Sequence, residues 1–373
     1  MNASVGDVSS RFGYRAFGFF LSSNCRIPGL RESPNPGLPV LQLDFDRLPS
    51  GFDETRFTDI WYLSRNREPS GTPALIIYHT PATNRDGVAG SSYWLKYADG
   101  TSIIVGEGVS QVWVTWPAWS SLEEACTYLL GPVMAILAQL RGTTCLHGSA
   151  VVIAGRIVGF LGPQGAGKST TATGFARAGY PVAADDLILL LEREQGFAVD
   201  STYPVLRLWP RTVSMLFGHE DAVPPISRGW DKRGLDLSGS KYCFQEEPLP
   251  LAALYLLGAR SGDESAPFIA PLSGAPALLS LVRNSWAHYV DKPSIVAAQL
   301  RVLTRLSQCV PMRTLVAHED HTRLPALFDL VTADVRAIRE GCTRVSQPQS
   351  DWMPSGEHLI GPVRNFKYRH RNF

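Results

Sequence analysis

The sequence predicts an α/β protein in which a phosphate-loop domain follows a mostly β N-terminal region. Three observations carry that expectation. Gly162-Pro-Gln-Gly-Ala-Gly-Lys-Ser169 fits the pattern G-x-x-x-x-G-K-[ST], with an apolar run over 157–161 before it and a helical stretch over 168–178 after it. Short apolar alternations separated by turn residues recur through 11–116. Helical periods over 275–281, 295–307 and 324–339 make the last third helical. The expected division is a mostly β domain over 1–120, a bridging helix over 121–142, a phosphate-loop domain over 143–340 and a polar, basic tail over 341–373.

In chain order, residues 1–10 are small and polar and read as a loose terminus. The run 14–21 reads as a strand. Four prolines within 27–39 exclude a helix or a ladder there. Further strands are expected over 40–45, 74–78, 92–97, 102–105 and 111–115, with a hairpin signal at Asp99-Gly100. Trp61, Trp94, Trp113, Trp116 and Trp119 read as core or rim packing. Ser120 or Ser121 caps the bridging helix, Glu123 and Glu124 suit its first turn, and Pro132 is a kink point. Strands over 146–153 and 156–160 flank a turn at Ala154-Gly155. Gly179 stops the helix after the loop. The run 181–186 is a short strand ending in Asp185-Asp186. Runs 187–191 and 196–199 form a hairpin, 205–209 is a strand and 212–217 a helix. Residues 218–250, with Lys232, Arg233 and Lys241, read as an irregular loop region, and 251–257 as a buried strand.

Composition narrows the function classes. Hydrophobic content is 45% and charged content 18%, which suits a packed core and not disorder. A net charge of +1 gives no global field for nucleic acid or an anionic membrane. The six cysteines are scattered with no C-x-x-C pair, as in proteins of a reducing compartment. No signal-peptide core opens the sequence, and the apolar stretch 128–137 is too short to span a bilayer. A soluble cytoplasmic protein is expected, with neither nucleic acid nor membrane as partner.

The loop carries the chemistry. Backbone N–H groups from Gly165 to Ser169 can supply a phosphate cradle at a helix N-terminus, and Gly162, Gln164, Gly165, Ala166, Gly167, Lys168, Ser169 and Thr170 are the candidate nucleotide-binding residues. Lys168 reaches β- and γ-phosphates, and the Ser169 hydroxyl ligates Mg²⁺. ATP and Mg²⁺ are therefore the expected cofactors. Adjacent carboxylates at a strand end point to opposite sides if the strand persists. One of Asp185 and Asp186 then faces the metal and the other the acceptor hydroxyl, as a kinase requires. The plainer alternatives are a turn cap or two surface acids. A motor ATPase is disfavoured, because no apolar strand ending in an acid follows well downstream.

His147, Gly162–Ser169 and Asp185-Asp186 together resemble the HPr serine kinase/phosphorylase family. There, a His precedes the loop on a strand and an Asp-Asp pair follows the loop helix. The resemblance implies a loop domain related to ATP-dependent phosphoenolpyruvate carboxykinases, with a mixed sheet. It implies Asp186 as proton acceptor from the hydroxyl, Lys168 on phosphate, Ser169 on Mg²⁺, Asp185 on the metal side and His147 near the γ-phosphate. A homo-oligomer is expected on the same ground. Two departures stand out: Thr170 where that family has Glu, and Leu206 where its metal-binding segment has Glu. Both weigh against the reverse reaction and against HPr as substrate. Tyr14-Arg-Ala-Phe-Gly18, Leu129-Leu-Gly-Pro132, Leu146-His-Gly-Ser149 and Tyr203–Pro210 are similar to a divergent branch of the family. Some of its members phosphorylate the C-terminal serine of lasso-peptide precursors. The expected activity is an ATP-dependent kinase acting on a Ser or Thr hydroxyl of a peptide or small protein. Arg207, Lys232, Arg233 and the basic tail are candidates to hold that acceptor. HPr or a small-molecule alcohol is the alternative acceptor, and a non-catalytic nucleotide sensor the alternative role.

Overall fold

The computed structural model describes residues 11–80, 92–227, 230–286 and 293–339. The expected loose terminus and basic tail lie outside these residues. The chain divides into two compact units, Met1–Leu129 and Leu130–Phe373. The division falls inside the segment expected to be one bridging helix.

The first unit is built on eight strands: β1 (Phe12–Ala16), β2 (Phe19–Ser23), β3 (Val40–Phe45), β4 (Asp59–Leu63), β5 (Leu75–Thr80), β6 (Ser92–Tyr97), β7 (Ser102–Val105) and β8 (Gln111–Thr115). They form one sheet in the order β1-β2-β3-β8-β7-β6-β5-β4. The single strand expected over 14–21 is instead the β1–β2 hairpin, because Phe17 and Gly18 both take positive φ and reverse the chain. β4 was not expected; its exposed Asp59 and Ile60 hide the alternation of an edge strand. Ser121 caps α1 (Leu122–Tyr128), its hydroxyl accepting from the Glu124 N–H.

A π-helical turn, Leu129–Val133, in which Gly131 leaves helical geometry, spans the division, and the chain continues in the second unit as α2 (Met134–Leu140). The kink expected at Pro132 is thus a full break in the helix. Its strands are β9 (Cys145–Leu146), β10 (Gly148–Ile153), β11 (Arg156–Leu161), β12 (Val182–Ala184), β13 (Ile188–Arg193), β14 (Gly196–Asp200), β15 (Val205–Leu208), β16 (Pro225–Ser227), β17 (Trp230–Asp236), β18 (Leu249–Leu257), β19 (Phe268–Leu272) and β20 (Met312–Val316). Its further helices are α3 (Lys168–Arg177), α4 (Pro210–Phe217), α5 (Gly274–Arg283), α6 (Pro293–Cys309) and α7 (Leu324–Arg339).

The main sheet is mixed. β11, β18 and β20 run parallel, while β10, β12, β13, β14 and β19 pair antiparallel. Apolar side chains line both of its faces, as in a sheet covered by helices on each side. Val158 and Phe160 of β11 pack with Phe175 of α3 and Leu327 and Val331 of α7. Ile157 and Leu161 of the same strand pack with Leu281 of α5 and Leu303 and Leu306 of α6.

Three expectations are corrected here. The run 146–153 is two strands, since the chain leaves the β13 ladder and joins the β11 ladder at His147. The region 218–250 is not wholly irregular: β16 and β17 join β15 in a three-stranded sheet. The last third is not purely helical, because β19 and β20 extend the main sheet. Both are short and interrupted by polar residues or proline, so their period is weak.

Candidate active site

The loop 162–167 joins β11 to α3. Gly162, Gly165 and Gly167 take φ of 145°, 84° and 101°. L side chains rarely adopt these angles, which is why glycine stands at all three. Gly162 is also crowded: a Cβ there meets the Ala166 side chain and the Leu257 carbonyl region. Gln164 and Gly165 form the exposed tip, Ala166 and Gly167 are half-buried, and Ser169 and Thr170 sit half-buried in the first turn of α3.

Lys168 is buried and folds back on its own loop. Its Nζ donates to the carbonyls of Gly162 (2.8 Å) and Pro163 (3.1 Å). Burial, partly offset by Asp186 and Asp185, lowers its pKa to about 8.

Asp185 and Asp186 lie just past the end of β12. The strand does not persist through them, so strand alternation is not what separates them. Asp186 has φ of 62°, and this left-handed turn redirects the chain between the two carboxylates. Asp185 Oδ1 accepts from the hydroxyls of Ser169 (2.8 Å) and Ser149 (2.6 Å), and Oδ2 from the Arg207 N–H (2.9 Å). Burial, reinforced by the neighbouring Asp186 charge, raises its pKa. Asp186 Oδ2 lies 3.6 Å from Arg207 Nη1. Burial alone pushes Asp186 upward, but Lys232, Arg207, His147 and Lys168 outweigh it and hold the carboxyl below the usual range.

His147 sits at the strand break. Its Nδ1 donates to the Asp186 carbonyl (3.0 Å), which fixes the proton on that nitrogen. Burial, with help from Lys168, lowers its pKa to about 4, so the ring is neutral at physiological pH. Asn284, which ends α5, braces the same region. Its Oδ1 accepts from the Gly162 N–H (3.0 Å) and its backbone carbonyl from the His147 N–H (2.6 Å).

Arg207 is buried. Its Nη2 donates to the Leu130 carbonyl (3.0 Å), and its guanidinium lies over the rings of Tyr203 and Trp230. The helix break supplies both the free carbonyl and the room, since a Cβ on Gly131 comes within 2.9 Å of Arg207 Nη1. Lys232 is also buried, over Trp209 and Trp230, and its charge acts on both aspartates.

The structure therefore brings together His147, Lys168, Ser169, Asp185, Asp186, Arg207 and Lys232. Arg233, next to Lys232 on β17, pairs instead with exposed Asp221 at 3.3 Å. A cleft of about 520 Å³ along α3, α4 and α7, lined by Gly174, Met215, His321 and Phe328 among others, includes none of the expected site residues. Sequence reasoning missed the roles of Ser149 and Asn284. Ser149 stands in Leu146-His-Gly-Ser149 with no partner to suggest a role, and Asn284 lies beyond the helix expected over 275–281.

No family of known proteins matches the sequence by its family model, and no curated protein matches it. Among solved structures the chain is similar to an HPr(Ser) kinase/phosphatase. That structure, from Coxiella burnetii, shares 12% identity over 53% of this chain and 99% of its own length, with a TM-score of 0.27. No described helix is long and apolar enough to cross a membrane.

Proposed function

We propose that this chain is an ATP- and Mg²⁺-dependent kinase that phosphorylates a Ser or Thr hydroxyl of a peptide or small protein. The observation that carries the reading is the cluster at the loop: Ser169 and Asp185 joined at 2.8 Å, with Lys168, Asp186 and His147 beside them.

The donor set suits Mg²⁺. Ser169 Oγ and Asp185 Oδ1 are hard oxygens, and Mg²⁺ takes few protein ligands and keeps several waters. Among the described residues no group of three or more His, Cys, Asp or Glu gathers, so a cage for a softer metal has no support. A buried carboxyl with a raised pKa is one that a cation returns to its ionised form. When bound, Mg²⁺ neutralises phosphate charge at Ser169 and Asp185.

Lys168 exchanges its two carbonyl partners for phosphate oxygens. Asp186, held ionised, accepts the proton of the acceptor hydroxyl. That oxygen bonds to the γ-phosphorus, the bond from phosphorus to the β,γ-bridging oxygen breaks, and its electron pair leaves with ADP. His147 fixes the Asp186 backbone through its carbonyl.

The finer proposal is that the acceptor is the C-terminal serine of a ribosomal peptide precursor of the lasso type. Its support is the motif resemblance together with the cations Lys232 and Arg207 near Asp186. The test is incubation with ATP, Mg²⁺ and a panel of peptides ending in serine, with HPr and small alcohols alongside, read by intact mass. A serine-terminal peptide gaining one phosphoryl group is the expected result. Asp186→Asn should lower transfer on the order of 10²–10³-fold while ATP affinity stays within about threefold. Transfer by Asp186→Asn at the wild-type rate removes Asp186 as the base. ATP binding with no transfer to any acceptor makes the chain a nucleotide sensor.

A further inference from the structure

The three parallel strands of the main sheet end side by side. β11 runs into the phosphate loop, β18 into the segment 258–264 and β20 into the segment 317–323. Crevices at the carboxyl ends of such strands are where α/β sheets bind ligands. The two later segments are stitched together: Gly258 N–H donates to the Leu315 carbonyl, Ser261 N–H to Ala317 and Glu319 N–H to Ser261, each at 3.0 Å.

Arg260 stands in that stitched pair. Its Nη1 donates to the His318 carbonyl (3.3 Å) and to His321 Nδ1 (3.1 Å). Its Nη2 turns to the phosphate loop, 3.3 Å from where a Cβ on Gly167 would stand. Gly167 is the N-cap of α3, so this guanidinium edge lies beside the backbone amides that open the helix. One half of the fork is anchored by the protein, and the other faces the place where an anion is expected. None of the acids of the catalytic cluster contacts it in the structure.

We propose that Arg260 is a phosphate-binding residue of the nucleotide site, gripping the polyphosphate chain from the side of Gly167. The proposal rests on the phosphate-loop reading above. Arginine suits the task because its planar fork keeps one edge for its anchors and offers another to phosphate oxygens. Its anchoring before any ligand arrives lowers the ordering cost of binding. Arg260 was not singled out by any motif, since it follows Ser169 by 91 positions and sits in an ordinary Gly-Ala-Arg-Ser turn.

The test measures Mg²⁺-dependent binding of ATP, and of inorganic tripolyphosphate by competition. It compares the full chain with Arg260→Gln, Arg260→Lys and Lys168→Ala, with thermal melts confirming that each variant folds. Arg260→Gln should weaken ATP and tripolyphosphate by the same factor, on the order of tenfold or more, and Arg260→Lys should recover part of it. Equal ATP affinity in Arg260→Gln and wild type, with binding lost in Lys168→Ala, overturns the role of Arg260 and leaves the loop reading standing. A loss for ATP without a loss for tripolyphosphate also overturns it, because Arg260 then reads the nucleoside. Wild-type protein whose binding ignores Lys168→Ala overturns the loop reading and the proposal with it.

Discussion

Each unit buries charge, and they do so differently. In the first, Asp44 is matched on both oxygens. Arg11 Nη1 donates to Oδ1 and Gln111 Nε2 to Oδ2, each at 2.9 Å. Arg11 further donates to the carbonyls of Ser22 and Leu43, so one side chain clips β2 to β3. In the second unit, Lys168, Asp185, Asp186 and His147 share a site in which burial and neighbouring charges pull them to different protonation behaviour. The Asp44 carboxylate, tied to Arg11 and Gln111, helps hold the first sheet together. Carboxylates whose environments push their pKa values apart are poised for acid, base and metal work.

The largest test of that contrast is Lys168→Ala. It should lower phosphoryl transfer on the order of 10²–10³-fold or more in a steady-state assay, with the fold retained by circular dichroism. Next comes pH. Lys168 has a pKa lowered to about 8 in the free protein, so its charge is present below that value and lost above it. ATP binding should weaken by up to about tenfold per unit as pH rises past about 8. Calorimetry in buffers of different ionisation enthalpy should detect proton uptake on binding in that range. A flat affinity from pH 7 to 10 would show that Lys168 keeps its proton without help.

Arg11→Ala probes the other unit. Leaving Asp44 buried with one donor should cost about 1–3 kcal/mol in denaturant unfolding, with transfer changed by less than about twofold. A large transfer defect in a folded Arg11→Ala protein would break the separation of roles. The smallest effect belongs to Arg233→Ala. Its partner Asp221 is exposed, so stability should move by about 0.5 kcal/mol or less, and transfer should be unchanged. The same change at Lys232, one residue away, should be felt at both aspartates.

How much of this was legible in sequence depends on the range of the interactions. The strand, glycine loop and helix around 157–178 are local, and they were read nearly to the residue. β3, β7 and β8 span the residues expected of them. The candidate residues up to Asp186 can be picked out in sequence because the motif confines them to 40 positions from His147. What failed was conformation set from a distance. Nothing in Leu146-His147-Gly148 announces a change of ladder partner, which is decided by β11 and β13. Nothing in Ala-Asp-Asp announces a left-handed Asp186, held by the His147 ring and by Arg207. The sheet of β15, β16 and β17 hid in a charged, proline-rich stretch because its strands are short and its apolar period weak. Arg207 and Lys232 could be suspected from charge, but only the sheet separates Lys232 from Arg233.

Asn284 has a consequence for how the site comes into being during synthesis. The motif is complete once residue 186 has been made, yet the loop's first amide and the His147 amide both wait for an acceptor that lies 122 positions beyond Gly162. β18, which seats β11 in the sheet, also arrives late. A nascent chain that ends at the aspartates therefore carries His147, Lys168, Ser169, Asp185 and Asp186 but lacks Asn284 and β18, which brace them. The arrangement of the loop and of His147 described above is therefore complete only once α5 and β18 have been made. A chain halted before that point would carry the motif without the Asn284 contacts that hold the loop and His147.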